Sequence, residues 1–532
     1  MAIEQQPSDI NQTTSNAHVE EQTAQENAAH NVLVAYNATT GKAIGELPIA
    51  DEAAVRDAVA KARAAQVAWG RLSFKERGMY LLRFRDVMLK RSDYIARLIS
   101  QEVGKPRIEG LLNEIMAAVD FINYYVKKAE KMLADEPVPL HLLKHRRSYI
   151  HYAPLGVVGI ISPWNFPFVL GLSEVIAALI TGNTVILKPS ELTPECGQII
   201  ADMFAAVNLP QDAFQILHGD GKTGAALVKS GVDKICFTGG GSTARHIMHA
   251  AADNLTPVVF ELGGKDPMIV CADADIERAA QAAVWGAFAN CGQVCASVER
   301  VYVHKSIADA FIGRTMELTR RLRVGNAAEG EDVDVGSMVH ERQVQAVERQ
   351  VQDAVNKGAK ILLGGHRPEN LAGPFYEPTI LTDVHQSMDV MREETFGPLL
   401  PITVVEDDEE AIRLANNSIF GLDAYVFSKD GKHADGVARR LEAGTVMIND
   451  VIAAYSVPEA PWGGVKQSGI GRVHGGAMGL KEFCQVRHIM SERIHLPVKR
   501  ELWWFPYRQW QVPLYERVIK LLFGFGGQKR KK

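Results

Sequence analysis

The amino-acid sequence predicts an α/β protein with two domains of similar build, each formed around a doubly wound parallel sheet. Short β-rich runs alternate with helical stretches from residue 156 to about 264, and a second alternating region spans about 265–445. Strand–helix alternation of this kind is typical of a parallel sheet packed between helices. The length of 532 residues also exceeds what one hydrophobic core supports, which indicates two or three domains.

The individual elements follow from the change of period along the chain. Helical blocks such as 76–90, between residues 73 and about 132, are expected to pack against the first sheet. The first region has predicted helices at 195–206 and 222–229, and predicted strands at 156–161, 184–187, 214–217, 234–237 and 258–260. The second region has predicted strands near 267–270, 301–303 and 399–404.

Composition and charge exclude several classes of function. With 47% hydrophobic and 23% charged residues, the chain has the composition of an ordinary soluble globular protein. The net charge is −5, and residues 1–30 hold five acidic residues and no Lys or Arg, so the remainder is formally neutral. No basic patch of domain size is present, which argues against nucleic acid as the main partner. Six thinly spread cysteines without a secretory signal are typical of reduced thiols in a cytoplasm.

Two segments could be mistaken for targeting or membrane elements. Residues 1–30 are nearly free of large apolar side chains, which predicts a disordered leader, and the absence of Arg argues against a transit peptide. The long uncharged stretch at 148–173 is interrupted by Pro154, Pro163, Asn165 and Pro167, which a lipid-exposed helix would tolerate poorly. We interpret it as a strand, a turn and the start of a helix inside a soluble domain.

A cysteine in a tight, glycine-containing loop is the first candidate for covalent chemistry. The loop is Phe288-Ala-Asn-Cys-Gly-Gln-Val-Cys295, and Glu261-Leu-Gly-Gly264 supplies a carboxylate upstream. A thiol can attack an electron-poor carbon, and a carboxylate can later activate water to release the product. Taken alone, the cysteine is equally typical of a small buried packing residue, and the glutamate is equally typical of a solvated surface residue.

Two strand ends carry residues suited to a dinucleotide. Lys188-Pro-Ser-Glu191 follows the strand at 184–187, where a carboxylate and a lysine can bind an adenosine ribose; the alternative is a surface turn with a helix-capping Ser190. Phe237-Thr-Gly-Gly-Gly241 also opens from a strand into a helix, and its backbone N–H groups suit a pyrophosphate. This turn does not itself continue as GxGxxG, because residue 244 is Ala, so it does not indicate a standard Rossmann dehydrogenase.

Taken in order, these segments resemble the aldehyde dehydrogenase superfamily over roughly residues 33–490. The matching motifs are Pro154-Leu-Gly-Val-Val-Gly, Pro163-Trp-Asn-Phe-Pro167, Lys188-Pro-Ser-Glu191, Phe237-Thr-Gly, Glu261-Leu-Gly-Gly264, Asn290-Cys-Gly-Gln-Val-Cys295, Glu394-Thr-Phe-Gly-Pro398 and Pro461-Trp-Gly-Gly464. The resemblance implies an aldehyde-dehydrogenase-like fold: two doubly wound parallel-sheet α/β domains and a small β oligomerisation element.

The resemblance also implies a mechanism. Cys295 resembles the nucleophile that attacks the aldehyde carbon, and Asn165 resembles the oxyanion donor that acts with the backbone N–H of Cys295. Glu261 resembles the base that activates water for thioester hydrolysis, and the separation of 34 residues from Cys295 agrees with the family.

The expected cofactor is NAD, with NADP as an alternative, because Glu191 would repel a 2′-phosphate. Glu394 resembles the residue that grips the nicotinamide ribose, with Phe396 packing nearby. The complete set of expected cofactor-binding residues is Trp164, Lys188, Ser190, Glu191, Thr238, Gly239, Gly240, Glu394 and Phe396. No metal is expected.

The sequence departs from the family pattern at two positions. Gly240 stands where members commonly have serine in the pyrophosphate turn, which removes a hydroxyl contact. Cys291 lies four residues before the predicted nucleophile. We interpret Cys291 as a small packing residue; the alternative is a resolving thiol that protects Cys295 from over-oxidation.

An apolar aldehyde, aromatic or of medium to long chain, is the expected substrate. The apolar residues 168–172 follow the oxyanion turn, on the helix that lines the substrate tunnel of the family. Succinic semialdehyde dehydrogenases place an arginine nearby, whereas this chain has Ser173 and Glu174. The segment around Asn449 and the tail nevertheless resemble a bacterial group labelled as succinic semialdehyde dehydrogenase, which is the alternative, while the region of His474 resembles enzymes of aromatic and long-chain aldehydes.

Two other classes of function are less favoured. A non-catalytic relative would be expected to lose Cys295, Glu261 or Asn165, and all three are present. A version that forms an acyl-CoA usually lacks the base at position 261.

The predicted domain organisation has five parts. It comprises a leader at 1–30, an NAD-binding domain at 31–137 and 154–264, a catalytic domain at 265–450, an oligomerisation element at 138–153 and 477–495, and an aromatic and basic tail at 496–532. The oligomerisation element resembles the hairpin and C-terminal strand that form family dimers or tetramers, with 146–153 and 485–490 as the equivalents. The tail predicts an interfacial helix with peripheral membrane contact through 502–532 at the inner face; the alternative is an arm packed on the domain or on a neighbouring subunit.

Overall fold

The computed structural model describes residues 32–330, 332–493 and 500–524, so the predicted leader at 1–30 lies outside the described residues. The chain divides into two compact units. The first comprises residues 1–134 and 152–486, and the second comprises 135–151 and 487–532.

The strands alternate with helices through most of the first unit. In chain order the strands are β1 (Val32–Tyr36), β2 (Ala43–Pro48), β3 (Glu136–Pro137), β4 (Arg146–Pro154), β5 (Val157–Ile161), β6 (Thr184–Lys188), β7 (Phe214–Ile216), β8 (Lys234–Thr238), β9 (Val258–Glu261), β10 (Asp266–Val270), β11 (Val298–His304), β12 (Lys360–Leu363), β13 (Thr379–Thr382), β14 (Leu399–Val405), β15 (Asp423–Phe427), β16 (Thr445–Ile448), β17 (Gly469–Ile470) and β18 (Cys484–Glu492).

The helices cover both faces of the two large sheets. In chain order they are α1 (Glu52–Trp69), α2 (Phe74–Lys90), α3 (Ser92–Val103), α4 (Arg107–Glu109), α5 (Ala117–Met132), α6 (Val169–Ile180), α7 (Pro194–Ala206), α8 (Gly221–Lys229), α9 (Gly241–Ala252), α10 (Ile276–Phe288), α11 (Ala308–Thr319), α12 (Glu341–Asn356), α13 (Asp389–Arg392), α14 (Asp408–Asn416), α15 (Gly431–Ala438), α16 (Gly476–Lys481) and α17 (Gln511–Phe523). A π-helical turn spans Gly110–Met116, and 3₁₀ turns span Ala289–Gly292, Ala453–Ser456 and Lys466–Ser468.

A six-stranded sheet forms the centre of the first α/β region. Its spatial order is β17-β9-β8-β5-β6-β7, and the five strands from β9 to β7 are parallel while β17 pairs antiparallel with β9. Helix α6 is buried along its whole length, as an apolar helix with no polar face must be. It belongs to a core cluster that also holds residues of α2, α3 and α5, as predicted for the blocks between 73 and 132.

A seven-stranded sheet forms the second α/β region. Its order is β12-β13-β14-β11-β10-β15-β16, parallel throughout except where β12 pairs antiparallel with β13. Its strands pack with α10 and neighbouring helices in a core cluster of their own. The predicted fold class of two parallel-sheet α/β domains is therefore confirmed.

Side-chain caps determine where several helices begin, and α10 and α2 are two examples. Asp275 accepts a hydrogen bond from the N–H of Arg278 and begins α10, the helix that leads into the cysteine loop. At α2, Ser73 and Glu76 cap each other reciprocally. Such caps satisfy N–H groups that have no partner inside the helix and fix where it begins.

The second unit contains most of a three-stranded sheet and a C-terminal helix. The sheet order is β18-β4-β3, and β4 and β18 occupy the segments predicted as the hairpin and the C-terminal strand. Helix α17 follows an aromatic loop at 502–510. Within the described residues, no helix combines the length and the apolarity needed to cross a lipid bilayer.

Candidate active site

Loops that carry predicted site residues leave one edge of the six-stranded sheet. The strands β5, β6, β8 and β9 are parallel, and their register pairs Ile161 with Lys188 and Phe237, and Thr238 with Glu261. Because carboxyl ends of parallel strands share an edge, the loops after these four strands lie together. The motifs that follow these four strands, although distant in sequence, therefore lie at the same edge of the sheet.

In the seven-stranded sheet the predicted site residues lie before the amino ends of the strands, rather than after the carboxyl ends. Cys295 precedes β11, and Glu394 and Phe396 precede β14, the parallel neighbour of β11. The short connection from β9 to β10 joins the two sheets in sequence, and the N–H of Gly264 within it donates to Glu394 Oε1 at 3.1 Å.

The cysteine and the glutamate of the predicted pair are in contact. Cys295 Sγ lies 3.3 Å from Glu261 Oε1, with the thiol as donor. Among the six cysteines, all reduced, Cys295 alone is partly exposed and the other five are buried. Glu261 is buried, and its second oxygen, Oε2, has no hydrogen-bond partner among the described residues. That oxygen is available to a water or a substrate group.

Burial and nearby acids define the protonation state of this pair. Burial is the largest cause that raises the pKa of the Cys295 thiol well above its ordinary value, and the carboxylate of Glu261 adds to it. Burial also raises the pKa of Glu261, while its contacts with Trp462 and Cys295 act in the opposite direction. The raised pKa of Cys295 keeps its sulfur as a thiol, and this thiol donates to Glu261 Oε1, an oxygen positioned to accept the proton.

The loop before Cys295 adopts an uncommon backbone conformation. Asn290 and Cys291 both have left-handed φ, at 49° and 55°. The carboxylate of Glu109 accepts from the N–H of Asn290 at 2.9 and 3.2 Å. Burial raises the pKa of Glu109 to about 7, and Lys105 and the Asn290 N–H lower it. The buried carboxylate thus stabilises a loop shape that non-glycine residues rarely adopt.

The turn that carries Asn165 is fixed by a buried ion pair. Lys105 Nζ lies 2.9 Å from Glu114 Oε1, and both side chains are completely buried. The same ammonium donates to the carbonyl oxygen of Asn165 at 2.7 Å and lies 3.7 Å from the centre of the Phe166 ring. Glu114 Oε2 accepts from the first N–H groups of the α6 region, those of Phe168 and Val169. One pair therefore holds both the turn and the start of the helix.

Asn165 also contacts the cysteine loop directly. Its side-chain Nδ2 donates to the carbonyl oxygen of Gln293 at 3.1 Å, and its carbonyl oxygen accepts from Asn290 Nδ2 at 3.0 Å. A primary amide has two N–H donors, so one remains free. The N–H of Cys295 has no acceptor among the described residues.

Lys188 and Glu191 lie together after β6. Lys188 Nζ donates to the carbonyl oxygen of Pro189 at 2.8 Å and lies 3.4 Å from Glu191 Oε2. Ser190 Oγ accepts from the N–H of Leu192, so it stabilises the turn, while the N-cap residue of α7 is Thr193. The alternative of a helix-capping Ser190 is therefore wrong in detail, and Glu191 remains partly exposed for a ligand.

The glycine turn after β8 opens onto the start of α9. A Cβ at Gly240 would meet nothing within 4 Å, whereas one at Gly239, with φ of 159°, would lie 2.6 Å from the Phe237 ring. No side chain caps α9, so its first N–H groups are free to bind phosphate oxygens. With Thr238 buried at the strand end, these residues fit the pyrophosphate of a dinucleotide.

Glu394, Phe396 and Trp164 form the other end of the expected cofactor site. The Trp164 and Phe396 rings meet edge-on with centroids 5.4 Å apart. Phe396 has a left-handed φ of 52°, and its N–H donates to Glu299 Oε1. Burial raises the pKa of Glu394 to about 8, with Glu299 adding to the shift.

Sequence reasoning missed three buried residues that support this site: Lys105, Glu109 and Glu114. Lys105 precedes α4, Glu109 ends it and Glu114 lies in the π-helical turn, so no single helical period marks the three. Glu102 and Arg107 lie close to them in the sequence, so charge alone does not single them out either.

Comparisons with known proteins agree with this arrangement. A model of the aldehyde dehydrogenase family matches residues 24–489. The chain belongs to the aldehyde dehydrogenase family. It is an aldehyde dehydrogenase by this match, and a nicotinamide dinucleotide, NAD or NADP, is the cofactor of this family.

Three members of the family illustrate the similarity. A 4,4'-diapolycopene aldehyde oxidase of a Methylomonas species is 40% identical over 494 residues, which cover 92% of this chain and 91% of that protein. A candidate NADP+-dependent succinate-semialdehyde dehydrogenase of Mycolicibacterium smegmatis is 37% identical over 456 residues, covering 86% and 88%. An aldehyde dehydrogenase of Bacillus cereus, solved as an NAD+ complex, has a TM-score of 0.83 at 32% identity and covers 88% of this chain and 94% of that chain.

One cluster of ligand-type side chains lies outside this aldehyde dehydrogenase site. The ligand atoms of Cys271, Asp408 and His433 lie within 4.8 Å of one another. His433 Nε2 pairs with Asp408 Oδ2 at 2.7 Å. The expectation that no metal takes part stays a prediction.

Proposed function

We propose that this aldehyde dehydrogenase oxidises an apolar aldehyde to its carboxylic acid with NAD+, through a covalent intermediate on Cys295. The observation that carries the proposal is the 3.3 Å contact between Cys295 Sγ and Glu261 Oε1. This contact joins a candidate nucleophile to a candidate proton acceptor, and the second oxygen of that carboxylate, Oε2, has no hydrogen-bond partner among the described residues.

In the first step Glu261 accepts the thiol proton as Cys295 Sγ attacks the aldehyde carbon. The carbonyl π electrons move to the oxygen, which becomes the oxyanion of a thiohemiacetal. The free N–H of the Asn165 amide and the N–H of Cys295 are the donors placed for that oxyanion. Donors fixed beforehand in a dry site stabilise such charge more strongly than water does.

The residues at the two sheet edges are suited to hold the cofactor. Lys188 and Glu191 would bind the adenosine ribose, the N–H groups at the start of α9 the pyrophosphate, and Glu394 the nicotinamide ribose. When bound, NAD+ accepts the hydride that leaves the thiohemiacetal carbon, and a thioester remains on Cys295. The carboxylate of Glu191, beside Lys188, disfavours a 2′-phosphate, which supports NAD over NADP.

Release of the product then depends on Glu261. After the thiol proton has passed from Glu261 to solvent, its carboxylate takes a proton from a water molecule as the water oxygen attacks the thioester carbon. The bond from that carbon to Cys295 Sγ breaks, the acid leaves, and the sulfur recovers a proton. Retention of Glu261 supports hydrolysis rather than transfer to CoA.

Apolar and acidic surroundings support an apolar substrate. Cys295 packs against a buried apolar cluster, and Phe166, Ile452 and Tyr455 pack against the same cluster. The charges that act on its thiol are the acidic groups of Glu261, Glu394 and Asp266. None of these three groups is a cation that could pair with a distal carboxylate.

The position after the oxyanion turn agrees with this preference. Ser173 Oγ contacts Tyr455 Oη at 2.9 Å, and Glu174 is buried with its pKa raised well above the ordinary value, chiefly by burial and next by Glu261. No cation for an acidic substrate stands at either position. Succinic semialdehyde, suggested by the Mycolicibacterium relative, remains the second candidate.

We further propose a cytoplasmic enzyme that assembles as a homodimer or homotetramer through the β18-β4-β3 sheet, with the domain boundaries given above. The six reduced cysteines support the compartment, and the position of β4 and β18 supports the assembly. Crosslinking and light scattering of the purified protein test the assembly.

The decisive experiment follows NADH formation by purified protein with short, acidic, aromatic and long-chain aldehydes, with and without CoA. C295A is expected to abolish turnover. E261Q is expected to lose steady-state NADH formation, because Glu261 is needed both to accept the thiol proton and to activate water. Turnover by C295A would refute the covalent mechanism, and a preference for succinic semialdehyde would replace the substrate proposed here.

A further inference from the structure

The C-terminal segment displays an unusual amount of apolar surface. Thirteen of the 25 described residues at 500–524 are large hydrophobics that remain exposed. They are Leu502, Trp503, Trp504, Phe505, Tyr507, Trp510, Val512, Leu514, Val518, Ile519, Leu521, Leu522 and Phe523. Isolated exposed hydrophobics need no explanation, but a contiguous patch of this kind marks an interaction surface.

The aromatic loop is held in shape by hydrogen bonds. Gln511 is buried, its Nε2 donates to the carbonyl oxygen of Leu502, and its Oε1 accepts from the N–H of Arg508. Glu501 forms an ion pair with Arg146 of β4. The tryptophans at 503, 504 and 510 are therefore presented on an ordered loop that is tied to the small sheet.

Helix α17 carries two unequal faces. Residues 516, 517 and 520, which are Glu, Arg and Lys, share a narrow polar stripe at 100° per residue. The remaining circumference from 512 to 523 is largely apolar, and Leu521 is 71% exposed. A wide apolar face with a narrow charged one is typical of a helix that lies in an interface, with the apolar face below the headgroups.

The charge of the segment identifies the partner. Residues 499–532 contain nine Lys or Arg and two Glu, a net charge of +7, whereas residues 1–498 carry −12. Four of the basic residues are the last four of the chain, 529–532. The net negative charge of residues 1–498 disfavours an anionic surface, whereas the +7 of this segment favours one, and a second copy of the chain would bring two +7 segments together.

We propose that residues 502–524 dock this enzyme on an anionic lipid bilayer, with the aromatic loop and the apolar face of α17 in the headgroup region. Tryptophan and tyrosine prefer that region because one end of each ring is apolar and the other polar. The basic end supplies the second attraction that a stable peripheral anchor needs. The inference stands independently of the catalytic proposal, because none of these residues belongs to the Cys295 site.

Vesicle flotation of the full chain tests the proposal. Binding is expected to vesicles of phosphatidylcholine with phosphatidylglycerol, and to be much weaker with phosphatidylcholine alone. Each basic residue near an anionic surface strengthens binding on the order of fivefold, so glutamine at all four positions 529–532 is expected to weaken it several hundred-fold. Salt at about 1 M should have a comparable effect, because it shortens the screening length to roughly 3 Å.

An apolar variant tests the other half of the docking surface. Serine at Leu521, Leu522 and Phe523 together is expected to lower binding by more than roughly tenfold. The matched control is L255S, because Leu255 is 88% exposed but lies in the first unit. All variants should oxidise a short, water-soluble aldehyde at the parental rate, which shows that they are folded.

Three outcomes would overturn the proposal. The first is equal flotation with neutral and anionic vesicles, and the second is unchanged flotation of the serine variant. The third is a change of oligomeric state in the serine variant without loss of flotation, which would assign the surface to a second copy of the chain. C295A should float like the parent, so failure of the catalytic proposal is distinguished from failure of this one.

Discussion

Breaking the buried Lys105–Glu114 pair should lower kcat, because the pair holds the turn that carries Asn165. It should also lower the free energy of unfolding, while the protein still folds. The ammonium and carboxylate lie 2.9 Å apart with no exposed side-chain surface, and the ammonium also donates to the Asn165 carbonyl. Removing one partner of such a pair leaves an uncompensated buried charge, at a cost of about 3–5 kcal/mol. That is a large part of the roughly 5–15 kcal/mol that stabilises a typical folded protein.

The catalytic effect follows from the position of Asn165. In K105M the turn loses its anchor, and the amide shifts from the place where the oxyanion forms. Loss of one oxyanion donor lowers kcat by about 10²–10³, which sets the upper limit of the effect. In E114Q the amide oxygen can still accept from the N–H groups of Phe168 and Val169, so the decrease should be smaller.

A double-mutant cycle provides the assay. Urea unfolding and kcat are measured for K105M, E114Q and the double variant, and the double loss should be smaller than the sum, because two neutral side chains leave no buried charge. K234M is the control, since the buried Lys234 pairs with the partly exposed Glu482 and does not contact Asn165. It should lower stability and leave kcat nearly unchanged. Additive losses, or parental kcat in both single variants, would refute the reasoning.

Three further predictions rest on single positions. Burial raises the pKa of Glu261, and the base acts only when it is deprotonated. A pH profile of kcat should therefore fall on its acidic side at a pH above the ordinary glutamate range. A fall at the ordinary glutamate pKa would contradict this. E191Q should raise kcat/KM with NADP+ relative to NAD+, measured with one aldehyde; an unchanged ratio would remove Glu191 from the choice. G240S should leave the thermal midpoint unchanged and lower the KM for NAD+, because its Cβ has open space, while G239A should destabilise the protein by contact with the Phe237 ring.

Periodic and motif-borne features were predictable from the sequence. The strands near 184–187, 234–237 and 399–404 agree with β6, β8 and β14 to within a residue, because a buried parallel strand has a compact apolar run with turn residues at its ends. The pair of Cys295 and Glu261 was predictable as well, since each lies in a motif next to a strand.

The support of the site was not predictable in the same way. Glu109 and Asn290 are 181 residues apart, and their hydrogen bonds depend on how α4 packs against the end of α10. Periodicity indicates only which side of an element faces the core. It does not identify a polar side chain from a distant part of the sequence that will pair with that element. The edge strand β17 was missed for a related reason, because a two-residue strand leaves no period to detect.

Packing also distinguishes the two cysteines of the loop. Cys291 is buried in the core cluster of the second sheet, whereas Cys295 packs against the cluster of the first sheet. Burial raises the pKa of both thiols, but Cys295 is partly exposed and has Glu261 as a proton acceptor, whereas Cys291 is buried. The structure therefore supports the interpretation of Cys291 as a packing residue with a left-handed backbone held by Glu109. C291A should retain activity, and it should lose activity to hydrogen peroxide at the parental rate; faster inactivation of the variant would restore the resolving role.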